Sequence, residues 1–403
     1  MTDLLVEPVA PVVTSTARLL LLFSDTGGGH RAAAQALVDA LHVAYPDRFA
    51  IEMCDPLRGP GAHPLPRTWA ALYGPAIRFA PWVWGALYHV TNSRTAVRML
   101  RRTLLAPVAA RIAAATISAG GWPSAPAAIV SVHPLLGPVA VAVRDRHAPG
   151  TPVVTVITDL VTVHTSWLAP VDRLIAAHTA QLGRRWSHPV ARIGTPVGAA
   201  FTAGPAGTAE RIRLRRDRGL PEHAFVAVIA GGGEGGGYIA RRTATILRST
   251  NDVTVVAICG RNRPLRRRLV RLGTRYPGRL AVCGYVDDMA TWLRCADVLI
   301  SKAGPGAIAE ALCCGTPLLL TGHMPGQERG NAEVVVGAGA GRLAPNGRAL
   351  LREISALRRD PGACEAMRAA AVRLGRPGAA GEIADYLAGL VHEAAAVGQG
   401  SRA

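Results

Sequence analysis

Short apolar runs recur along the chain, each ending in a glycine-rich turn or a polar cluster, with helically spaced stretches between them. Arg18 to Phe23 reads as a buried strand, Ser24 to Gly29 as a tight turn, and His30 to Ala44 as a helix. Leu37 and Leu41 lie four apart on one face of that helix. Ala50 to Met53, Ala127 to Val132, Pro152 to Ile157 and Leu174 to Ala176 read as further strands. Phe201 to Gly207 is rich in Gly, Ala, Pro and Thr and predicts a linker. A charged helix, Ala209 to Arg218, then precedes a second round of alternation. Phe225 to Ala230, Val253 to Cys259, Leu280 to Gly284 and Val298 to Ile300 read as strands, and Ala338 to Leu343 as a last short one. Strands alternating with helices predict parallel sheets covered on both faces, hence an α/β fold of two doubly wound halves. The expected division is a loose leader over 1–17, a first half over 18–200, a second over 201–379, and a terminal helix within 380–403 that packs back across the linker.

The run from Leu299 to Asn331 carries the densest chemistry. A strand leads into Ser301-Lys302-Ala303-Gly304-Pro305-Gly306, then into a helix of good helix formers stopped by Gly315 and Pro317. Pro305 has a fixed φ and no N–H to lose, so it suits the first helical turn. The free amides and positive dipole end of such a helix seat an anion, and Lys302 adds a full charge. Glu310 lies one turn into the helix, placed to accept hydrogen bonds from ribose hydroxyls. Gln327 and Glu328 are placed to do so for a sugar. Ligands of doubly wound sheets sit at the carboxyl ends of the strands, so the turns at Gly27 to Gly29 and Gly231 to Gly237 would face one interdomain cleft.

Composition adds bounds. The chain has 403 residues, 49% of them hydrophobic, which suits two cores rather than one. The net charge is +18, carried mostly by arginines scattered through apparently folded sequence rather than in a basic tail. That favours phosphorylated substrates or acidic lipid surfaces and disfavours nucleic acid as a partner. Seven cysteines without CxxC spacing predict buried thiols in a reducing compartment and no zinc site. No run approaches the ~20 apolar residues of a membrane span, and the acidic start with Asp3 and Glu7 predicts no secretory signal. The expected location is therefore cytoplasmic.

One segment differs in composition. Trp69, Tyr73, Phe79, Trp82, Trp84 and Tyr88 fall within twenty positions, followed by Arg94, Arg98, Arg101 and Arg102. Aromatics beside a basic face are the ingredients of a membrane-interface element, though the same residues serve equally as a helical subdomain core with a solvated face.

The string KAGPGAIAEAL followed by PGQERGN resembles the nucleotide-sugar signature of GT-B glycosyltransferases, and within them the monogalactosyldiacylglycerol synthase branch, whose pattern is close to KAGPGTIAEAL and PGQEKGN. SDTGGGHRAAA resembles SDTGGGHRASA of the same family, and further matches fall at Ser131 to Leu135, Thr158 to Leu160, His164, Trp167 and Gly194 to Val197. The segment Leu160 to Val163 departs from the plant-type pattern, which is more polar and carries an extra Cys.

The resemblance implies a GT-B enzyme moving a hexose, galactose or else glucose, from a UDP-sugar to diacylglycerol with inversion. It implies attachment to the inner face of the cell membrane through anionic lipids. The donor residues it marks are Gly231, Gly232, Gly233, Gly260, Val286, Lys302, Ala303, Gly304, Pro305, Gly306, Glu310, Gln327, Glu328 and Asn331. The acceptor and membrane residues are Gly28, Gly29, Trp69, Trp82, Trp84, Arg94, Arg98, His133 and His164. An attacking alcohol must lose its proton, and His30, at a helix N-terminus beyond a strand, is the expected base. Asp159, His133 and His164 are rivals, and Asp25 or Asp159 is placed to orient the ring. No Asp-x-Asp occurs, so no metal and no cofactor are expected. Other readings are a GlcNAc transferase on a polyprenyl-linked peptidoglycan precursor, a UDP-GlcNAc 2-epimerase and a basic nucleic-acid binder. The aromatic-basic segment argues against the epimerase, and the donor signature against the nucleic-acid binder.

Overall fold

A computed structural model describes residues 16–25, 28–59, 64, 67–68, 81–117, 125–182, 186, 189–323, 326 and 328–400. Residues 1–15, Trp69 and Gln327 lie outside them, and of Trp84 only the backbone is described. The first half runs β1 (Ala17–Leu22), α1 (Gly29–Ala44), β2 (Phe49–Cys54), α2 (Pro81–Thr91), α3 (Arg94–Arg102), α4 (Ala106–Ile117), β3 (Ala128–Ser131), α5 (Gly137–His147), β4 (Val153–Val156), β5 (Arg173–Ala176) and β6 (Val190–Arg192). The second runs α6 (Thr208–Asp217), β7 (Phe225–Ala230), α7 (Ile239–Ser249), β8 (Val253–Ile258), α8 (Arg263–Gly273), β9 (Leu280–Cys283), α9 (Met289–Cys295), β10 (Val298–Ser301), α10 (Pro305–Cys313), β11 (Leu318–Leu320), α11 (Arg329–Gly337), β12 (Gly341–Leu343), α12 (Gly347–Arg359), α13 (Pro361–Leu374) and α14 (Ala379–Gly400).

Each half holds one parallel six-stranded sheet, ordered β2-β1-β3-β4-β5-β6 and β12-β11-β10-β7-β8-β9. The inner strands are mostly apolar, as burial on both faces requires: Leu19 to Leu22 pair with Ala128 to Ser131, and Val298 to Ile300 with Ala227 to Ile229. Each sheet reverses its strand order once, between β1 and β3 and between β7 and β10. Such switch points open a crevice beyond the strands' carboxyl ends. His30 follows β1 and His133 follows β3. The Gly231–Gly237 loop follows β7, and the Lys302–Gly306 loop follows β10.

Two boundaries differ from the sequence pattern. β6 escapes that pattern because it is a three-residue edge strand with no fully buried position. β12 starts at Gly341 rather than Ala338, because the Ala338 N–H still closes α11 on the Val334 carbonyl. At the C-terminus, Ile383, Ala384 and Leu387 of α14 join Leu37 and Leu41 of α1 in the first half's core. The Tyr45 hydroxyl donates to Asp385 at 2.9 Å.

Candidate active site

Gly28 caps α1 in the left-handed region at φ 85°, a backbone that glycine adopts without strain. No side chain caps this end, and His30 projects from the first turn. Its Nδ1 lies 2.8 Å from the Val132 carbonyl and 3.2 Å from the Thr158 hydroxyl. A carbonyl only accepts, so Nδ1 carries the proton and Nε2 keeps its lone pair. The ring stands edge-on to His133, with centroids 4.6 Å apart, and 6.1 Å from the Trp167 ring. Burial pushes its pKa down to about 4, against a hydrogen bond to Val132 that pulls it up.

The other two histidines take the opposite tautomer. Leu135 N–H donates to Nδ1 of His133 at 3.3 Å, and Ser166 N–H to Nδ1 of His164 at 3.1 Å. The proton of each then sits on Nε2. In His164 that nitrogen lies 3.3 Å from the Tyr88 carbonyl, which ties α2 to the sheet. Both are buried, and both pKa values are lowered, chiefly by desolvation. Neither offers a lone pair to an incoming alcohol, which corrects their standing as rival bases. Asp25 does not orient the His30 ring either: its carboxylate accepts from Arg31 at 3.1 Å, and the Val132 carbonyl holds the ring instead. Asp159 is buried and accepts the Trp167 indole N–H at 2.7 Å. A Cβ at Gly28 or Gly29 would meet nothing within 4 Å, so the wall beside His30 is open.

Across the cleft, α10 begins at Pro305 with Gly304 as an N-cap that has no side-chain partner. Its first-turn amides are left for a ligand. Lys302 pairs with the buried Glu328, so its charge is shared, where the sequence alone suggested a full charge free for a ligand. Asn331 donates from Nδ2 to the Ala303 carbonyl at 3.0 Å, fixing this loop to α11. The Gly231–Gly237 loop is folded tightly on itself and on Gly260. Arg261 N–H donates to the Gly233 carbonyl at 2.8 Å, and a Cβ on Gly260 would strike that carbonyl. Arg261 also lies 3.8 Å from Glu234, which lessens that carboxylate's conflict with a phosphate. Val286, just past β9, packs against the second core. Desolvation pushes the Glu310 carboxyl up to about 7.

Arg242, which the motif reading passed over, donates to the Thr321 carbonyl at 2.8 Å and to the Gly237 carbonyl. It thereby ties the glycine loop to the end of β11. Its sequence signal is a cation in the first turn after a glycine loop.

The halves touch beside these loops. A Cβ on Gly326 would press into the Tyr88 ring, and one on Gly330 would lie 2.7 Å from Cγ1 of Val161. On α2 and α3, Trp82 is 74% exposed, Val90 74% and Met99 68%, and Arg94 and Arg98 are exposed with them.

A family model described as monogalactosyldiacylglycerol (MGDG) synthase matches residues 30–182, and one described as glycosyltransferase family 28 C-terminal domain matches 226–382. A probable monogalactosyldiacylglycerol synthase 2, chloroplastic, from Oryza sativa subsp. indica is 32% identical over 364 residues, covering 86% of this chain and 75% of its own. Monogalactosyldiacylglycerol synthase 3, chloroplastic, from Arabidopsis thaliana is 32% identical over 339 residues, covering 80% and 70%. Among solved structures, Acinetobacter baumannii MurG matches with TM-score 0.56 and 14% identity over 93% of this chain and 99% of its own. Os79 from O. sativa matches with TM-score 0.60 and 14% identity, covering 92% and 100%. At such identities these structures speak for the fold alone, a GT-B arrangement of two parallel sheets.

Proposed function

The chain belongs to the monogalactosyldiacylglycerol synthase family, and from that premise we propose how its own cleft works as a UDP-sugar hexosyltransferase making glycolipid from diacylglycerol. The acceptor's free hydroxyl gives its proton to Nε2 of His30 as its oxygen bonds to the anomeric carbon. The bond from that carbon to the diphosphate breaks, and UDP leaves from the opposite face, so the centre inverts. The observation that carries this reading is the His30 tautomer, the one arrangement among the three cleft histidines that leaves a nitrogen able to take the proton.

The leaving diphosphate carries negative charge that must be stabilised as it develops. The uncapped end of α10, the amides of the glycine loop and the Lys302–Glu328 pair supply that stabilisation without a metal. Glu310 receives the ribose hydroxyls. Gly28 and Gly29 leave room for the lipid glycerol. The exposed Trp82, Val90 and Met99, with Arg94 and Arg98 beside them, seat the enzyme peripherally on the anionic inner face of the cell membrane. No helix among the described residues is long and apolar enough to cross a membrane.

The test is competition. UDP-galactose, UDP-glucose and UDP-GlcNAc are offered together over diacylglycerol and a polyprenyl-linked acceptor, and products are read by mass spectrometry. Hexosyl-diacylglycerol supports the reading, and chromatography against standards separates the two hexoses, which have the same mass. A GlcNAc-polyprenyl product alone would replace it with the MurG-like alternative.

A further inference from the structure

A groove lies away from His30, between α7 and α8 on the outer side of the second sheet, with a volume of about 510 Å³. Leu269 and Leu272 form its apolar floor with Ala240 and Ala244, and Arg248, Arg267, Arg268, Arg271 and Arg275 form its walls. All five arginines are exposed, and none forms an ion pair with another described residue. Eleven arginines and a single acid, Asp252, fall between Tyr238 and Tyr285. Asp252 is itself engaged by Arg358 of α12.

Such crowding has a cost. Arg267 and Arg271 stand four apart on α8, and Arg268 and Arg271 three apart, spacings at which like charges face each other and destabilise a helix. The helix dipole accounts for Arg248, Arg271 and Arg275, which lie at or just past helix C-termini. It does not account for Arg267 and Arg268, nor for Arg263 in the first turn. An ordinary solvated face intersperses acids, and this one has none. Five cations around a concave, partly apolar floor suit a ligand with several negative oxygens, and guanidinium groups match phosphate in geometry.

We propose that the α7–α8 groove is a binding site for a phosphate-bearing polyanion, held by Arg248, Arg267, Arg268, Arg271 and Arg275 over the Leu269–Leu272 floor. The anion reaches it either free in solution or as the headgroup of an anionic phospholipid. The site is separate from the donor cleft and does not depend on the transfer chemistry.

The experiment uses the full chain with its donor site saturated by UDP. Calorimetry with inorganic tripolyphosphate reads the free form, and flotation with phosphatidylcholine vesicles containing phosphatidylglycerol reads the headgroup form. Each is repeated with Arg267→Glu/Arg271→Glu and with Arg146→Glu/Arg359→Glu, which removes equal charge from exposed arginines on other helices. UDP binding by both variants confirms that they fold. A loss of at least about tenfold in either arm for the groove variant alone supports the site and identifies which form it takes, tenfold being about 1.4 kcal/mol. Equal losses in both variants would reduce the effect to net charge and overturn the proposal. Absence of binding in both arms by the unaltered protein would overturn it as well.

Discussion

A single hydrogen bond to the Val132 carbonyl settles the tautomer of His30, and a backbone atom leaves no trace in a residue pattern. The sequence motif located the histidine, and the strand order placed it at a switch point, but which of three histidines keeps a usable lone pair depends on contacts from Val132, Leu135 and Ser166. His30→Ala should lower kcat by about 10²–10⁴ with UDP affinity retained, while His133→Asn leaves a rate limited only by packing. Equal losses in stopped-flow and steady-state assays of the two variants would remove His30 from the role. Because burial holds His30 near 4, the unfolded chain takes up its proton first as pH falls. Its contribution to stability is therefore present above 6.5 and is lost as pH falls through about 4. Glu310 runs the other way. With its carboxyl raised to about 7, its contribution is present below 4.5 and is lost as pH rises through 7. Ribose hydroxyls prefer the ionised carboxylate, so UDP affinity should rise across pH 7 in calorimetry, and Glu310→Gln should flatten that rise. An unchanged pH dependence in Glu310→Gln would place another group at the ribose.

At the level of elements, the two glycine-rich turns and the helix starting at Pro305 are legible because each needs residue types few other structures need. The loop after β7 closes on Gly260 so tightly that a methyl on Gly260 would strike a backbone carbonyl. The pairing of Lys302 with Glu328 was not legible. The two residues are 26 apart, and nothing in either motif says that a buried carboxylate reaches the lysine. In the proposed arrangement fixed amides and helix ends carry the diphosphate, so turnover should persist in excess EDTA. Abolition by EDTA with rescue by manganese or magnesium would show that the loops need an ion. The α2–α3 pair is the other element to test, since its proposed membrane role rests on its exterior. Its exposed apolar side chains can be made polar at little cost to the fold, so Trp82→Ser/Val90→Ser should weaken binding to phosphatidylglycerol vesicles and leave UDP affinity alone. Raised salt should loosen the arginine part of that binding, since exposed charges are screened over roughly 10 Å at 0.1 M. Vesicle flotation that is indifferent to both changes would make this face merely solvated.

For the whole molecule, the proposed reaction needs the His30 wall and the α10 loop to face each other at a fixed distance, and one of the contacts between the halves is small. Gly330, in the first turn of α11, lies against Val161 and Thr162 of the first half, just beyond Asp159. Its backbone is helical, so alanine there brings no strain of its own, but the added methyl would stand 2.7 Å from Cγ1 of the fully buried Val161. The side chain has nowhere to turn, and overpacking of this kind costs about 1–3 kcal/mol unless the structure moves. The cheapest movement is a slight parting of the two halves. Gly330→Ala should therefore lower kcat while UDP affinity, which the proposed site sets within the second half, stays the same. Val161→Ala removes Cγ1, the atom nearest the methyl, and leaves Cβ at 3.0 Å and Thr162 Oγ1 at 3.1 Å, so the double variant Gly330→Ala/Val161→Ala should recover part of the lost turnover. That recovery is a coupling between residues 169 positions apart, and a double-mutant cycle in kcat measures it. Additive losses in the cycle would mean that the methyl acts within α11 alone and that the halves do not depend on this contact for their spacing.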